Sequence, residues 1–376
     1  MLPLVLATIL VGLIISLPAT AILLFVGRRA GALDSPGADG HVKVLRNVPN
    51  IGGIAIFLAV ALPLGLFVGI GLGEGPGSIA ERLPALAPHV ERMRESLPVA
   101  TAMLACLAAL HVLGLVDDRR SVGPGIKFAV QFAAAITMAG LFDVRLFTFL
   151  DRALPFDPIP SAVLTVLWIV LVTNALNFMD NMDGLAGGVA GISALLFMTA
   201  AILNQQWFIA ATLGLLIGGL GGFLFFNFPP ARIFMGDGGS LVVGFLLGVL
   251  TARTTFYDAL NPGGPLGGGW YGVLMPVVVL AVPLYDFVTV TLIRLRQGKS
   301  PFVGDQQHFS HRLVQRGLTR RGAVLIIWAI TAVTGIGGII LGSLQGWQAI
   351  LVGVQTVLAL LVLAALEYAS RHAVRT

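Results

Sequence analysis

Long apolar segments, separated by short polar ones, make up most of the chain. At 1.5 Å per residue, a helix of about 20 apolar residues crosses a hydrocarbon core of about 30 Å. We expect about eleven such spans, near residues 3–26, 51–73, 99–116, 124–142, 161–177, 184–203, 207–226, 238–254, 270–293, 322–344 and 347–368. The pattern predicts an all-α, polytopic transmembrane helical bundle that forms one integral-membrane domain over residues 1–376.

The composition excludes a soluble globular protein. Of the 376 residues, 57% are hydrophobic and 11% are charged, whereas soluble domains carry about 25% charged residues. The mean hydropathy is +0.93. The single cysteine, Cys106, lies inside an apolar segment, and one cysteine cannot form an intramolecular disulfide.

The basic residues predict how the bundle is oriented. The first apolar segment has no positive charge before it and is followed by Arg28 and Arg29, which indicates an uncleaved helix with its N-terminus outside. In that orientation 17 of the 23 Lys and Arg residues lie on the cytoplasmic side, and the C-terminus is cytoplasmic. We therefore expect a multi-pass protein of the inner (cytoplasmic) membrane that is in contact with the lipid bilayer.

Four polar clusters interrupt the apolar pattern, and this orientation places all of them on the cytoplasmic side. Carboxylates and carboxamides in apolar surroundings are costly unless a charged group faces them. Independent structural accidents would scatter over both membrane faces. The clustering therefore predicts one functional site that faces the cytoplasm.

The first cluster is formed by Asp117 and Asp118, which end the third apolar segment ahead of two arginines. Adjacent carboxylates repel each other and favour a bound cation, and hard ions such as Mg²⁺ prefer oxygen ligands. The alternative is that both acids are hydrated beside the arginines. Lys127 begins the next segment, where it either extends to the membrane interface or contacts a phosphate.

In the second cluster Asn174, Asn177, Asp180 and Asp183 recur every three residues. A helix turns by about 100° per residue, so this spacing places the four side chains on one side of a helix. We expect Asn177 and Asp180 to contact a metal or a ligand, and the glycines that follow to allow close backbone approach. The alternative for Asp183 is that it caps the next helix.

In the third cluster Asn227 and Asp237 flank a Pro-Pro sequence and the basic residue Arg232. The sequence Gly-Asp-Gly-Gly-Ser then opens the eighth apolar segment. Such a turn is suited to holding a phosphate and its metal at a helix N-terminus. The alternative for Asp237 or Ser240 is that it serves only as an N-cap.

The fourth cluster lies in the longest cytoplasmic loop and contains Asp305, His308, His311 and Arg312. A zinc site is disfavoured, because no cysteine or third histidine accompanies the two histidines. Histidines and arginines together are better suited to donate hydrogen bonds to a pyrophosphate. The alternative for the arginines is the positive charge that cytoplasmic loops usually carry.

Together the clusters indicate metal-assisted chemistry on a phosphate. In this interpretation acids hold Mg²⁺, with Mn²⁺ as an alternative, the metal neutralises a pyrophosphate, and basic side chains screen the remaining charge. An ion-coupled membrane transporter is the alternative from another class, since carriers also have intramembrane acids and broken helices. Carriers place these acids near the bilayer midplane, however, whereas here they lie at helix ends.

The clusters, in this order, resemble the polyprenyl-phosphate N-acetylhexosamine-1-phosphate transferases of glycosyl transferase family 4. The matching motifs are PNIGG (49–53), VDD (116–118), NALNFMDNMDGL (174–185), FMGDGGS (234–240) and DQQHFSH (305–311). The resemblance implies transfer of a sugar 1-phosphate from a UDP-sugar to a polyprenyl phosphate such as undecaprenyl phosphate, with Mg²⁺ and release of UMP. This reaction is the first lipid-linked step of a cell-envelope polysaccharide.

The histidine motif resembles that of the branch that uses UDP-GlcNAc. The UDP-MurNAc-pentapeptide transferases of peptidoglycan synthesis, which have a different histidine-rich loop, are the alternative within the family. We expect no nucleic-acid partner, and a homo-oligomer is compatible with the sequence.

The resemblance also implies roles for individual residues. Asp237 and Asn177 would hold the metal. The catalytic residues would be Asp117, Asp118, Asp237 and His308, with Asp117 activating the lipid phosphate. The substrate-binding residues would be Lys127, Asn174, Asp180, Asp183, Asn227, His311 and Arg312.

Three departures from the family pattern bear on sugar specificity rather than on the reaction. Asn181 replaces the glycine of the common DGxDGL sequence, and Ser310 replaces a histidine. The loop before the second span, GHVKVLRNVPN, is longer than usual, with Lys43 in the place of the usual lysine. None of these departures removes a predicted metal ligand.

Overall fold

The computed structural model describes residues 1–31, 48–82, 84–148, 150–151, 158–254, 269–300 and 307–368. All regular elements in these ranges are helices, so the predicted fold class is confirmed. Two residues discussed above, Lys43 of the longer loop and Asp305 of the histidine motif, lie outside the described residues.

The main helices are labelled here in chain order. They are α1 (Leu2–Ala30), α2 (Gly53–Gly73), α3 (Leu97–Arg119), α4 (Pro124–Ile136), α5 (Ile159–Met179), α6 (Leu185–Leu203), α7 (Trp207–Asn227), α8 (Asp237–Arg253), α9 (Met275–Val279), α10 (Ala281–Arg296), α11 (Phe309–Gln315), α12 (Arg320–Ile339) and α13 (Gly346–Tyr368). Two short helices, Pro76–Arg82 and Val90–Glu95, lie between α2 and α3. The π-helical turn Thr137–Leu141 extends α4.

Each predicted span coincides with a helix or a helix pair in the structure. In the described part of the chain, 9 helices are long and apolar enough to cross a membrane, or up to 10 if one bent pair is a single span. The remaining predicted span is α8, whose 17 residues extend about 26 Å at 1.5 Å per residue. The protein is therefore a multi-pass membrane protein, and the orientation of its termini stays a prediction.

The predicted span at 270–293 is broken rather than continuous. The helical segments Trp270–Val279 and Ala281–Arg296 meet at an angle of 65°. Proline explains the break, because Pro283 has no N–H to donate to the carbonyl of Val279 four residues earlier. The sequence predicted the span but not the break, since hydropathy does not register the loss of one backbone hydrogen bond.

α8 is the central helix of the bundle and packs on α5, α3 and α2. Every residue from Gly238 to Ala252 is buried. Small residues allow this close packing. A Cβ atom on Gly244, for example, would lie 2.7 Å from the Cα atom of Thr173 on α5. Because α8 begins at Asp237, its packing fixes that residue in space.

Gly114 on α3 lies very close to this end of α8. A Cβ atom at Gly114 would lie 2.4 Å from the backbone carbon and oxygen of Asp237. We expect Gly114→Ala to lower the free energy of unfolding by about 1–3 kcal/mol, the usual cost of overpacking, and to displace Asp237. The thermal unfolding midpoint of the protein in detergent measures this effect. Gly69→Ala on α2 is the matched control, because no atom lies within 4 Å of its added methyl group; equal midpoints for the two variants would contradict the prediction.

Candidate active site

Four helix ends bring residues of the first three polar clusters together at one end of the bundle. Asp117 and Asp118 come from the C-terminal end of α3, Lys127 from the first turn of α4, and Asn177 from the last turn of α5. Asp237 is the first residue of α8. The sequence predicted this gathering, and the structure shows how the side chains are arranged within it.

Asp237 is held from two sides. Its Oδ2 atom accepts a hydrogen bond from Lys127 Nζ at 2.9 Å, and its Oδ1 atom accepts one from Asn177 Nδ2 at 3.0 Å. Asn177 Nδ2 also donates to Ser240 Oγ at 2.8 Å, one turn along α8. The Asp237 side chain is still 27% exposed. It is therefore fixed in direction and accessible to a ligand.

Lys127 links Asp237 to Asp117. Its ammonium group also donates to Asp117 Oδ2, and the second oxygen of that carboxylate accepts the Val122 amide at 2.7 Å. The lysine side chain is 25% exposed. One cation thus joins two carboxylates that lie far apart in the sequence, and the three charged groups retain a net negative charge.

Asp118 caps α8 from a neighbouring helix. Its carboxylate oxygens accept the backbone N–H groups of Asp237 at 3.0 Å and Gly238 at 3.1 Å. Asn50, just before α2, donates to Asp118 Oδ1 at 3.0 Å. A carboxylate at a helix N-terminus satisfies free N–H groups and complements the helix dipole. Burial and the charge of Asp237 nevertheless raise the pKa of Asp118 to about 7. The structure thus gives Asp118 a capping function, while its catalytic role stays a prediction.

The spacing predicted that the four residues of the second cluster lie on one side of a helix. The structure shows a different arrangement. α5 ends at Met179, and Asp180 is its C-cap residue with φ −78° and ψ 45°. Asp180 and Asp183 therefore belong to the turn that follows, which closes at Gly184 in the left-handed region with φ 74°. The expectation was wrong for these two residues because the helix stops before them.

Asn174 lies deeper in the bundle than Asn177. It is buried and donates to Gln131 Oε1 on α4 at 2.6 Å and to the Val170 carbonyl at 2.8 Å. The contact with Gln131 joins α5 to α4 below the carboxylates. Its predicted contact with substrate stays a prediction.

Asp183 and Asn227 hold the Pro-Pro loop against the turn after α5. Asp183 Oδ2 accepts the Ala231 amide at 3.0 Å, and Asn227 Oδ1 accepts the Gly184 amide at 2.9 Å. Asn227 Nδ2 donates to the Ile233 carbonyl at 2.8 Å, and both side chains are buried. These bonds shape the backbone of the loop that leads to Asp237. Direct binding of substrate by either residue stays a prediction.

The histidine segment has a partner that the sequence motifs did not include. His308 precedes α11, and its Nδ1 atom lies 2.8 Å from Asp286 Oδ2 on α10. The other Asp286 oxygen accepts the Phe309 amide at 3.2 Å. Because an ionised carboxylate only accepts hydrogen bonds, His308 Nδ1 carries the proton and Nε2 is the ring nitrogen that can contact a ligand. Asp286 is fully buried. It is the sole acid of the predicted span at 270–293, and an acid inside an apolar span indicates function, but none of the four clusters included it.

His311 and Arg312 have different surroundings. Burial and the nearby His308 lower the pKa of His311, against the opposing effect of the Asn181 backbone. Arg312 forms an ion pair with Glu367 of α13 at 2.7 Å and also donates to the Gln307 carbonyl. Arg312 thus anchors the segment to the last helix, and its binding of substrate stays a prediction.

Aromatic contacts join the histidine segment to the carboxylates. Phe178, next to Asn177, lies edge-on to the His308 ring with 6.0 Å between centroids. The guanidinium carbon of Arg294 lies 5.2 Å from the centroid of the same phenylalanine. Two groups of polar side chains therefore lie on adjacent sides of the C-terminal end of α5.

The donor set at Asp237 can be compared with what metals require. Over the ranges that the structure describes, no three His, Cys, Asp or Glu side chains converge as a metal-binding group. Mg²⁺ does not need such a group, because proteins usually hold it with one or two carboxylates, water and substrate phosphates. A carboxylate with an adjacent carboxamide, accessible and surrounded by further carboxylates, fits that ion.

The fold and the site define a class: a multi-pass membrane protein with an acid-rich, partly exposed site at the end of its helices, suited to a metal and a phosphate. Residues 100–255 match the sequence model of glycosyl transferase family 4. The chain belongs to this family, as its relatives also show.

The relatives are similar over most of their length. The chain is 31% identical over 383 residues to the decaprenyl-phosphate N-acetylglucosaminephosphotransferase of Mycolicibacterium smegmatis, covering 94% of this chain and 87% of that protein. It is 29% identical over 348 residues to the probable undecaprenyl-phosphate N-acetylglucosaminyl 1-phosphate transferase of Bacillus subtilis, covering 91% of this chain and 86% of that protein. It is 32% identical over 239 residues to the undecaprenyl-phosphate alpha-N-acetylglucosaminyl 1-phosphate transferase of Haemophilus influenzae, covering 61% of this chain and 65% of that protein.

Proposed function

We propose that this protein transfers GlcNAc 1-phosphate from UDP-GlcNAc to undecaprenyl phosphate, or a related polyprenyl phosphate, and releases UMP. The proposal places the reaction on the cytoplasmic face of the inner membrane. The names of the relatives support the donor and the type of acceptor. The observation that carries the proposal is the position of Asp237, held between Lys127 and Asn177 at the start of a buried helix.

The reaction requires one bond to form and one to break. An oxygen of the acceptor phosphate attacks the β-phosphorus of the UDP-sugar, and the bond between that phosphorus and the bridging oxygen breaks. UMP leaves with the bridging oxygen. When the acceptor phosphate carries a proton, Asp117 takes it, and Lys127 offsets the charge of the two phosphates as they approach.

Asp237 and Asn177 would hold Mg²⁺, with Mn²⁺ as an alternative. When bound, such an ion supplies positive charge to the diphosphate and stabilises the leaving UMP. Asp118 keeps the start of α8 in place through the backbone N–H groups of Asp237 and Gly238. The geometry of the site is therefore set before substrate binds. Electrostatic stabilisation is most effective in such a preorganised site.

The histidine segment would bind the diphosphate of the donor. His308 is oriented by Asp286, so its Nε2 atom is free to face the phosphates. Asp180 lies half-buried on the turn between the two groups of side chains, where it would help to shape the nucleotide pocket. The polyprenyl tail would stay in the bilayer, with its phosphate at the interface beside Asp117.

A donor comparison tests the proposed function. Purified protein in detergent, with Mg²⁺ and undecaprenyl phosphate, should release UMP from UDP-GlcNAc, measured beside UDP-GalNAc and UDP-MurNAc-pentapeptide. Faster UMP release from UDP-MurNAc-pentapeptide would assign the protein to the pentapeptide transferases of the family. Absence of UMP from every donor, together with solute flux in liposomes, would favour a transporter instead. None of the relatives named above is called a pentapeptide transferase or a transporter, so neither alternative is favoured.

A further inference from the structure

Two positions at which the sequence departs from the family pattern contact each other. Ser310 Oγ donates to Asn181 Oδ1 at 2.6 Å, although the two residues are 129 positions apart in the chain. Asn181 Nδ2 donates in turn to the Phe178 carbonyl at 2.8 Å, at the end of α5. The Asn181 side chain therefore bridges the end of one helix and the start of the histidine segment.

The next residue of that segment, His311, lies at the same place, where the Asn181 backbone acts on its ring. Ser310 is fully buried, so loss of its partner would leave a buried hydroxyl unsatisfied. Two consecutive residues of α11 thus lie beside one residue of the turn after α5, and Ser310 is hydrogen-bonded to it.

The histidine segment depends on such tertiary contacts for its position. α11 has only 7 residues and no side-chain cap at its N-terminus. Asp286 holds it on one side through His308 and the Phe309 amide. Asn181 holds it on the other side. Arg312 ties the far end of the segment to Glu367 of α13. Without the Asn181 anchor, the turn that carries the two histidines is therefore held by polar contacts with Asp286 alone, and the histidines shift relative to the carboxylates.

We propose that Asn181 and Ser310 form a positioning pair that fixes His308 and His311 against the diphosphate of the donor. This inference rests on the proposed function. The pair acts on donor binding and not on acceptor binding, because it joins the turn after α5 to the histidine segment and contacts neither Asp117 nor Lys127.

The test is a double-mutant cycle with Asn181→Ala, Ser310→Ala and the double variant. We expect each single variant to lower kcat/KM for UDP-GlcNAc by about 3- to 10-fold, because a hydrogen bond that positions a binding group is lost. The double variant should lose about as much as Asn181→Ala alone, since residues that act as a pair are not additive. The KM for undecaprenyl phosphate should not change. Titration calorimetry with UDP-GlcNAc, without acceptor, should show the same pattern in Kd.

Thr331→Ala is the matched control. This residue is also a fully buried hydroxyl, but it donates only to the Ile327 carbonyl of its own helix, at 2.9 Å. Its loss should leave the donor kcat/KM and Kd unchanged. The thermal unfolding midpoint of all variants separates a positioning role from a structural one.

The inference is overturned if the losses of the two single variants multiply in the double variant. It is also overturned if donor and acceptor parameters fall together with the unfolding midpoint, or if both single variants behave as the wild type. Failure of the proposed function would appear in the wild type, as absence of UMP release and of UDP-GlcNAc binding, and the pair would then lose its assigned role. If the wild type binds and turns over UDP-GlcNAc while the effects of the two substitutions are additive, the positioning pair is refuted and the proposed function is not.

Discussion

Asp237→Asn is expected to lower UMP release on the order of 10³-fold, the scale seen when a preorganised electrostatic contact to the reacting phosphates is lost. The carboxylate would hold the metal, and its two oxygens accept from Lys127 and Asn177. An amide of the same shape keeps only one acceptor oxygen, so an NH₂ group then faces one of these donors. The variant should still fold, because Asp118 caps α8 through the backbone N–H of residue 237, which the substitution does not change.

Initial rates of UMP release, measured with Mg²⁺ over a range of concentrations, check this prediction. Chelation of the metal with EDTA should abolish the wild-type rate, and added Mg²⁺ should restore it. Asp143→Asn is the matched control, since Asp143 is 77% exposed and pairs only with Arg145 in the described contacts. Wild-type turnover in Asp237→Asn, with unchanged dependence on Mg²⁺, would remove the metal assignment.

Asp286→Asn should lower kcat/KM for the donor by up to about 10²-fold. Losses of this size follow when the group that orients a functional histidine is removed. Asp286 accepts both the His308 ring N–H and the Phe309 amide. A carboxamide has one acceptor oxygen, so only one of these two bonds survives. The ring then loses its fixed orientation, or the start of α11 shifts, and in either case Nε2 would no longer face the proposed position of the diphosphate.

Asp151→Asn provides the comparison for a buried carboxylate without a role in the site. Asp151 is also buried and accepts from the Ser161 amide at 3.0 Å and from Arg145 at 2.9 Å. Ser161 lies 16 residues before Asn177 on α5, which corresponds to about 24 Å along the helix. We expect Asp151→Asn to reduce thermal stability and to leave turnover per folded molecule unchanged. The assignment of Asp286 would be wrong if Asp286→Asn kept wild-type kcat/KM while losing only stability.

Much of the fold follows from the sequence for a simple reason. A chain in hydrocarbon must satisfy its backbone groups internally, and an apolar run of about 20 residues does so by forming a helix. The apolar runs therefore predicted the helices, including the buried α8. The break at Leu280 was missed, because a long apolar run continues through it and only the position of Pro283 indicates the lost hydrogen bond.

The gathering of polar residues was also predictable in part. Asp117, Asp118, Lys127, Asn177 and Asp237 come from helix ends on one side of the membrane, and the structure brings them within hydrogen-bonding contact. The prediction of a single helical face for the residues after Asn177 was wrong. A three-residue repeat does not show where a helix ends.

The sequence by itself determined that this protein is a helical membrane protein with an acid-rich site at one end of its spans, because hydropathy and charge are properties of each residue. Only the tertiary structure decided which groups each polar side chain contacts. It made Asp118 the cap of α8, gave His308 its buried partner Asp286, and joined Asn181 to Ser310. Hydrogen bonds depend on distances of about 3 Å between atoms of different helices, and a linear pattern carries no information on those distances.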